Sequence, residues 1–229
     1  MPVEQQDEKR RDSLVRSKWA LLISVIIFGI CMALYFPFPN NPTLESTTTF
    51  MSFPIQNQDG YILLGIVGSV LFLIAMILLV VGLKKYHVRS IILVAIGYAG
   101  LPGMLTLMYQ ETLAGGIDSI SYYNNGDCNF EYVREDLLNG ECSLVLHNRS
   151  NQEVTFELEF LDSYMGEGVR MESLMNVAGP YIITMEGNSK KSIHLEKSLD
   201  VAEVPNHIEG GTSSDVHIKI SHGGKTRKM

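Results

Sequence analysis

Charge is scarce in this 229-residue sequence: 19% of its residues are Asp, Glu, Lys or Arg, against roughly 25% in an ordinary soluble domain. A basic surplus is lacking too. The net charge of −7 and the pI near 5.4 argue against a nucleic-acid binder, which needs a cationic face. Tryptophan occurs once, and the three cysteines, Cys31, Cys128 and Cys142, are too few and too scattered for a zinc cluster. What the chain has in plenty is apolar length. Three runs without a charged residue occupy much of the first 110 positions, and the remaining 119 look like an acidic soluble module, so one water-soluble domain does not account for the whole.

The runs Trp19 to Phe38, Tyr61 to Leu83 and Ile91 to Tyr109 each reach the 18 or so uncharged residues that a membrane-crossing helix requires. In the second, sixteen residues are Leu, Ile, Val or Phe. At a few tenths of a kcal/mol each, insertion is favoured by roughly 5 to 10 kcal/mol as an upper bound. The third carries Gly97, Gly100, Pro102 and Gly103, which predict a kinked helix packed on its neighbours. Lys and Arg flank these runs in the alternation five, none, three, none: Lys9, Arg10, Arg11, Arg16 and Lys18 first, then Lys84, Lys85 and Arg89, with Arg134 the next after the third run. Positive charge stays on the cytoplasmic side, so the expected location is the cell membrane, multi-pass, with the amino terminus cytoplasmic and the carboxy-terminal module outside. Trp19 and Tyr86 fall at the expected inner interface and Tyr35, Tyr61 and Tyr109 at the outer one. The first run is longer than a signal-peptide apolar core, and Cys31 to Ala33 is a poor cleavage site.

The expected organisation is a cytoplasmic tail over 1–18, membrane helices over 19–38, 61–83 and 91–109, an outer loop over 39–60, a cytoplasmic loop over 84–90 and an outer module over 110–229. The tail balances five basic against four acidic residues, which suits a topology signal better than a lipid-binding arm. None of the three runs contains Asp, Glu, Lys, Arg or His, which counts against a pump, a proton-coupled carrier or an intramembrane acid–base enzyme. The pairs Gly29/Ala33 and Gly65/Ser69 have the spacing that lets helix backbones approach closely.

Past Ile117 the apolar period becomes two. Val154 to Phe160 alternates strictly, and Cys142 to Leu146 and Val216 to Ile220 repeat the pattern. Seven strands are expected, near 117–123, 128–134, 142–148, 152–162, 180–186, 191–197 and 213–221, separated by turn signals such as Asn124-Asn125-Gly126-Asp127 and Asn139-Gly140. The stretch Leu144 to Phe160, followed by Gly187-Asn188-Ser189-Lys190-Lys191-Ser192-Ile193, resembles the immunoglobulin-like accessory domains of bacterial extracytoplasmic proteins. That resemblance, together with three membrane helices, implies a small bacterial multi-pass protein: three transmembrane helices followed by an all-β, immunoglobulin-like antiparallel sandwich of about seven strands. Domains of this kind bind or space rather than catalyse.

Cys128 and Cys142, on the side expected to be oxidising, are expected to pair, closing a loop of about 15 residues for roughly 3 kcal/mol. If each strand crosses the sandwich fully, the two long connections, 163–179 and 198–212, fall at the membrane end. The first carries Tyr164, Met165, Met171, Leu174 and Met175, adaptable side chains for a contact or for a short helix closing the sheet edge. Other signals are weak. His147, His194 and His217 sit in the polar phase of strands, Gly224-Lys225-Thr226 reads as a tail, and Asn148-Arg149-Ser150 is a glycosylation sequon at a turn. No catalytic, cofactor or metal residues are expected, and the chain is read as no enzyme. The expected partners are the lipid bilayer and a protein engaged through the helices or the membrane-proximal loops, with no nucleic acid. The expected function is a binding or accessory membrane protein, with an auxiliary transporter or channel subunit and a membrane-tethered enzyme as alternatives.

Overall fold

The computed structural model describes residues 15–41, 43–44, 46–57, 60–123, 125–162 and 168–229. Among them the helices come first. Helix α1 (Lys18–Leu34) starts where the Ser17 hydroxyl accepts the Ala20 N–H at 3.3 Å. Helices α2 (Leu63–Gly82) and α3 (His87–Thr112) are each long and apolar enough to cross a membrane, while α1 is apolar but shorter. Helices α1 and α2 pack side by side, with the Ser24 hydroxyl donating to the Ala75 carbonyl at 2.8 Å and Leu21 seated over Gly82. The Gly82 carbonyl, orphaned at the end of α2, accepts from the amides of Arg16 and Ser17 at 2.8 and 3.1 Å. Helix α3 runs through Pro102, and the Thr106 hydroxyl donates to the Pro102 carbonyl at 2.9 Å.

The segment between α1 and α2 is more than a loop. It forms a small antiparallel sheet of β1 (Ser46–Phe50), β2 (Phe53–Asn57) and β3 (Gly60–Tyr61). The tight turn joining β1 to β2 places Met51 and Ser52 at φ 46° and 70°, the pair of left-handed residues that matches strand twist. Strand β2 lies directly on α2: a Cβ at Gly65 would stand 1.7 Å from the Pro54 carbonyl oxygen, and one at Gly68 would meet the Phe53 ring at 2.8 Å. Phe53 is thereby wedged, fully buried, among Tyr35, Phe72 and Tyr98, at ring-centre distances of 4.8, 6.0 and 6.0 Å. Gly65 thus seats strand backbone on the helix. Gly29 has nothing within 4 Å of where its Cβ would be.

The remaining strands are β4 (Ile120–Tyr122), β5 (Asp127–Arg134), β6 (Leu137–Asn148), β7 (Val154–Leu161), β8 (Tyr181–Met185), β9 (Lys190–Asp200), β10 (Gly211–Ser214), β11 (His217–His222) and β12 (Lys225–Lys228). In one sheet β10 pairs with β5, while β5, β4 and β9 all pair with β6; the second has the order β12-β11-β7-β8. Alternate residues of both, including Leu144, Phe156, Leu158, Phe160 and Ile218, share one hydrophobic core. The expectation of three membrane helices followed by a single immunoglobulin-like, seven-stranded sandwich is therefore corrected. Twelve strands among the described residues form three separate antiparallel sheets, and the first of these sheets lies between the helices.

Two physical causes account for the miscounted strands. Strands β4 and β5 both run antiparallel to β6, along different halves of the same edge, with Ile120 opposite Asn148 and Asp127 opposite Ser143. Strands β4 and β5 therefore run in the same direction, and the reversal expected between them is missing. Likewise the run 213–221 divides into β10 and β11 in different sheets, the chain changing sheets around Asp215 at φ 57°. Asn139-Gly140 is no turn but the middle of β6, where a Cβ on Gly140 would meet Leu199 at 2.7 Å and Met175 at 2.8 Å. The stretch read as a tail becomes β12, paired with β11 across Gly223-Gly224 at φ 56° and 81°.

Removing one reversal inverts every later connection. The turn after β6 lies at the helices, because Arg149 meets Glu111 of α3 at 2.5 Å, and β7 runs seven residues away from that turn, roughly 23 Å at 3.3 Å per residue. The long connections after β7 and β9 are thus at the end remote from the helices, opposite to the sequence-based expectation. Of the expected contact residues there, Tyr164 and Met165 lie outside the described residues. Met171, Leu174 and Met175 are buried in the core, because the 3₁₀ turn Glu172–Ala178 folds onto the sheets. Asp162 holds that turn by accepting from the Met171 and Ser173 amides at 2.8 and 2.9 Å. Cys128 and Cys142 are cross-strand neighbours on β5 and β6 and form a disulfide.

His217, at the start of β11, supplies a pH signature. Burial pushes its imidazole below the usual histidine range, with Glu172 and Asp215 opposing. A histidine of depressed pKa takes up its proton in the unfolded chain first, so the stability it permits is complete above about pH 6.5 and is lost as pH falls through the folded value. Denaturant melts of the full chain should show the midpoint falling as pH drops below about 6.5, with His217→Gln flattening that slope. A slope unchanged by the substitution contradicts this assignment.

Candidate functional site

The helices and the β module meet at a junction built from four chain segments. Beyond α1 the chain passes through Tyr35, Pro37 and a cis Phe38–Pro39 bond, then rises alongside β12, where the Lys228 amide donates to the Asn40 side-chain oxygen at 2.8 Å. On β12 the inward phase falls on Arg227, which is only 5% exposed. Its guanidinium lies over the Phe38 ring, 4.6 Å from the centre, and its Nε donates to the Pro39 carbonyl at 3.3 Å. Its Nη1 donates to the carbonyls of Ile117, Asp118 and Ile120 at 2.7, 3.2 and 2.7 Å. From the end of α3 the buried Gln110 amide reaches two of the same acceptors, Asp118 and Ile120, at 3.1 and 2.9 Å.

Burial pulls the Arg227 pKa down to about 10, with Asp118 and Tyr109 opposing, so the group is still cationic at neutral pH. Among the described residues it forms no ion pair, and Nη2 makes no hydrogen bond; the Asp118 carboxylate instead faces the Lys225 ammonium at 3.4 Å. A second strut lies beside it. Arg149 donates to Glu111 at 2.5 Å, to the Ser121 hydroxyl at 3.0 Å and to the Tyr123 hydroxyl, joining α3 to the start of the module.

Two adjoining cavities open at this junction. One, of about 250 Å³, is lined by Gln110, Tyr122, Tyr123, Arg227 and Lys228 together with Pro37, Asn41 and Gly103. The other, also about 250 Å³, shares Pro37, Asn41 and Gly103 and continues between the helices to Met32, Tyr35 and Tyr98, with Thr43 and Ser52 on its wall. Tyr35 and Tyr98 are 7% and 6% exposed, and neither hydroxyl has a hydrogen-bond partner among the described residues.

Around the module the remaining polar candidates are structural. Asn148 is fully buried, its amide donating to the carbonyls of Gln152 and Glu186 at 2.7 and 3.0 Å and its oxygen accepting from Ser119 and Ser150. Both amide hydrogens are spent, so this sequon is closed to glycosylation in the folded chain. Lys219 meets Glu159 at 2.8 Å in a cross-strand ion pair between β11 and β7. No group of three His, Cys, Asp or Glu side chains suited to a metal occurs among the described residues.

Set against known proteins, the chain matches no family model, no curated protein and no solved structure. The junction therefore rests on its own geometry. Sequence reading missed Arg227 and Gln110, and it placed Tyr35 at the bilayer surface, where the structure buries it against Phe53. The available signal was the polar phase: in Lys225-Thr226-Arg227-Lys228, continued across the Gly-Gly turn from Ile218 and Ile220, the inward position falls on Arg227.

Proposed function

We propose that this chain is a multi-pass membrane protein of the accessory type, whose helices hold the β module in a fixed attitude for contact with a partner. On this reading α1 enters the bilayer beside α2 and α3, the amino terminus is cytoplasmic and the module lies on the opposite side. Several features support it. Leu63, Ile77, Leu93 and Ile96 are 75, 63, 72 and 70% exposed on charge-free helix faces, which suits lipid rather than water. The alternation of flanking Lys and Arg favours this orientation, and the disulfide suits an oxidising compartment. The observation that carries the proposal is the Arg227 junction. A module that merely trails from an anchor needs no buried cation bridging the α1 exit, the 3₁₀ turn Gly116–Ser119 and the acceptors shared with α3.

Impermeant maleimide labelling of single cysteines in intact cells tests the topology. Tyr132→Cys, on the exposed remote end of the module, should label before lysis, and Lys84→Cys, between α2 and α3, only after it. The reverse pattern overturns the orientation. The accessory role is tested by extracting the intact protein in gentle detergent. A membrane partner should co-purify in constant ratio and be lost from an Arg227→Met variant that still inserts. A chain that elutes alone overturns that role.

A further inference from the structure

Tyrosine at positions 35 and 98 is unexplained by packing. Both rings join the aromatic cluster around Phe53 and Phe72, which phenylalanine would fill equally well, and a buried hydroxyl without a partner is unfavourable. Both residues line the inner cavity. At the other end of the shared wall stands Arg227, a buried cation with no carboxylate partner and with Nη2 unused among the described residues. Between them, Asn41 spends its side-chain oxygen on the Thr43 amide and hydroxyl, at 3.1 and 2.7 Å, which leaves its amide hydrogens for an acceptor. Among the described residues no Asp or Glu lines either cavity.

We propose that the two cavities form one binding site for a phosphorylated polyol, with the phosphate toward Arg227 and the hydroxylated part toward Asn41, Tyr35 and Tyr98. The donors match this chemistry in order. A guanidinium edge presents N–H groups to phosphate oxygens, and the neutral hydroxyl and amide groups farther in exchange hydrogen bonds with alcohols. A bare anion would leave the tyrosine end unused, and an apolar molecule would leave every one of these groups unpaired. Two sources carry this chemistry: the headgroup of an anionic glycerophospholipid, and a free polyol phosphate. The lipid source alone rests on the membrane location proposed above, which the labelling experiment decides separately.

Native mass spectrometry of the full chain in detergent tests the site. The probes are phosphatidylglycerol, phosphatidylcholine and glycerol 3-phosphate. Saturable retention of phosphatidylglycerol over phosphatidylcholine, competed by glycerol 3-phosphate, is the expected result for a lipid ligand. Saturable binding of glycerol 3-phosphate alone supports the same site with the free ester as its ligand. The paired variant Tyr35→Phe/Tyr98→Phe keeps both rings, should melt at or above the wild-type temperature, and should weaken binding by about tenfold or more, the loss expected for two hydroxyl hydrogen bonds. Equal retention of the two lipids without competition, no saturable binding of any probe, or unchanged affinity in the paired variant overturns the proposal.

Discussion

Gly65→Ala should expel the β1–β2 hairpin from the helices and lower stability by about 3 kcal/mol or more. The added methyl carbon would stand 1.7 Å from the Pro54 carbonyl oxygen, and the obstacle is strand backbone, which no rotamer change relieves. The hairpin must retreat, and with it Phe53, whose ring fills the space between Tyr35, Phe72 and Tyr98. Withdrawing one fully buried Phe costs roughly 2 to 3 kcal/mol in transfer free energy, before the cavity it leaves is counted. Two substitutions calibrate the effect. Gly68→Ala meets side chains only, Phe53 at 2.8 Å and Tyr35 at 2.9 Å, and should fall between the extremes. Gly97→Ala has nothing within 4 Å and should be neutral or stabilising by up to about 1 kcal/mol. Hydrogen exchange over residues 46–57, with the thermal midpoint in detergent, reads the result. Gly65→Ala behaving like Gly97→Ala would show that the hairpin does not sit on α2.

That glycine also marks a boundary of what the sequence discloses. A small residue in an apolar helix signals close approach but not by what, so Gly65/Ser69 read as a helix–helix pair although its neighbour is a strand; the Ser69 hydroxyl simply donates to the Gly65 carbonyl at 2.8 Å. The apolar helices α2 and α3 were legible because an uncharged run of twenty residues has few alternatives. Strand β7 and the later part of β6 were legible for a different reason: one face is buried, and a period of two records it directly, as in the strict alternation of β7. Direction was not legible. Asn124-Asn125-Gly126-Asp127 carries every local mark of a hairpin, yet β4 and β5 share one edge of β6, because β4 pairs with residues more than twenty positions away, such as Ile120 with Asn148. One such step carried the two long connections to the wrong end of the module.

The candidate site was less legible still, because its chemistry is assembled from single residues of distant segments. Tyr35, Arg227 and the α3 pair Tyr98 and Gln110 belong to three different stretches, and none of those stretches has a motif. Methionine-rich 163–179 carries the stronger local signal, since flexible apolar side chains in a connection suit a contact as well as a core. Of its residues, Met171, Leu174 and Met175 went to the core because Asp162 and Asn176 anchor the 3₁₀ turn on β7, where Asn176 exchanges hydrogen bonds with the Phe160 backbone at 2.9 and 2.8 Å.

Arg227→Met should be the most damaging single change in the module, lowering stability by about 3 to 5 kcal/mol and the apparent midpoint by roughly 6 to 20 °C. Methionine retains the length and apolar stem, so the loss isolates the guanidinium. Its removal deprives the Pro39 carbonyl of its donor, leaves that of Ile117 to the Ile120 amide, and leaves those of Asp118 and Ile120 to Gln110 alone. Arg227→Lys should recover little, because an ammonium cannot direct N–H groups toward both Pro39 and the three carbonyls of the 115–120 segment at once. The shared acceptors make a sharper test. With Gln110→Ala alone, Arg227 still covers Ile120; with both changed, nothing does, so the double variant should lose about 1 kcal/mol or more beyond the sum of the single losses. Proteolysis between 112 and 117 should accelerate in the same order. Additive losses, or an Arg227→Met midpoint within a degree of the wild type, would mean that the helices and the β module are joined elsewhere.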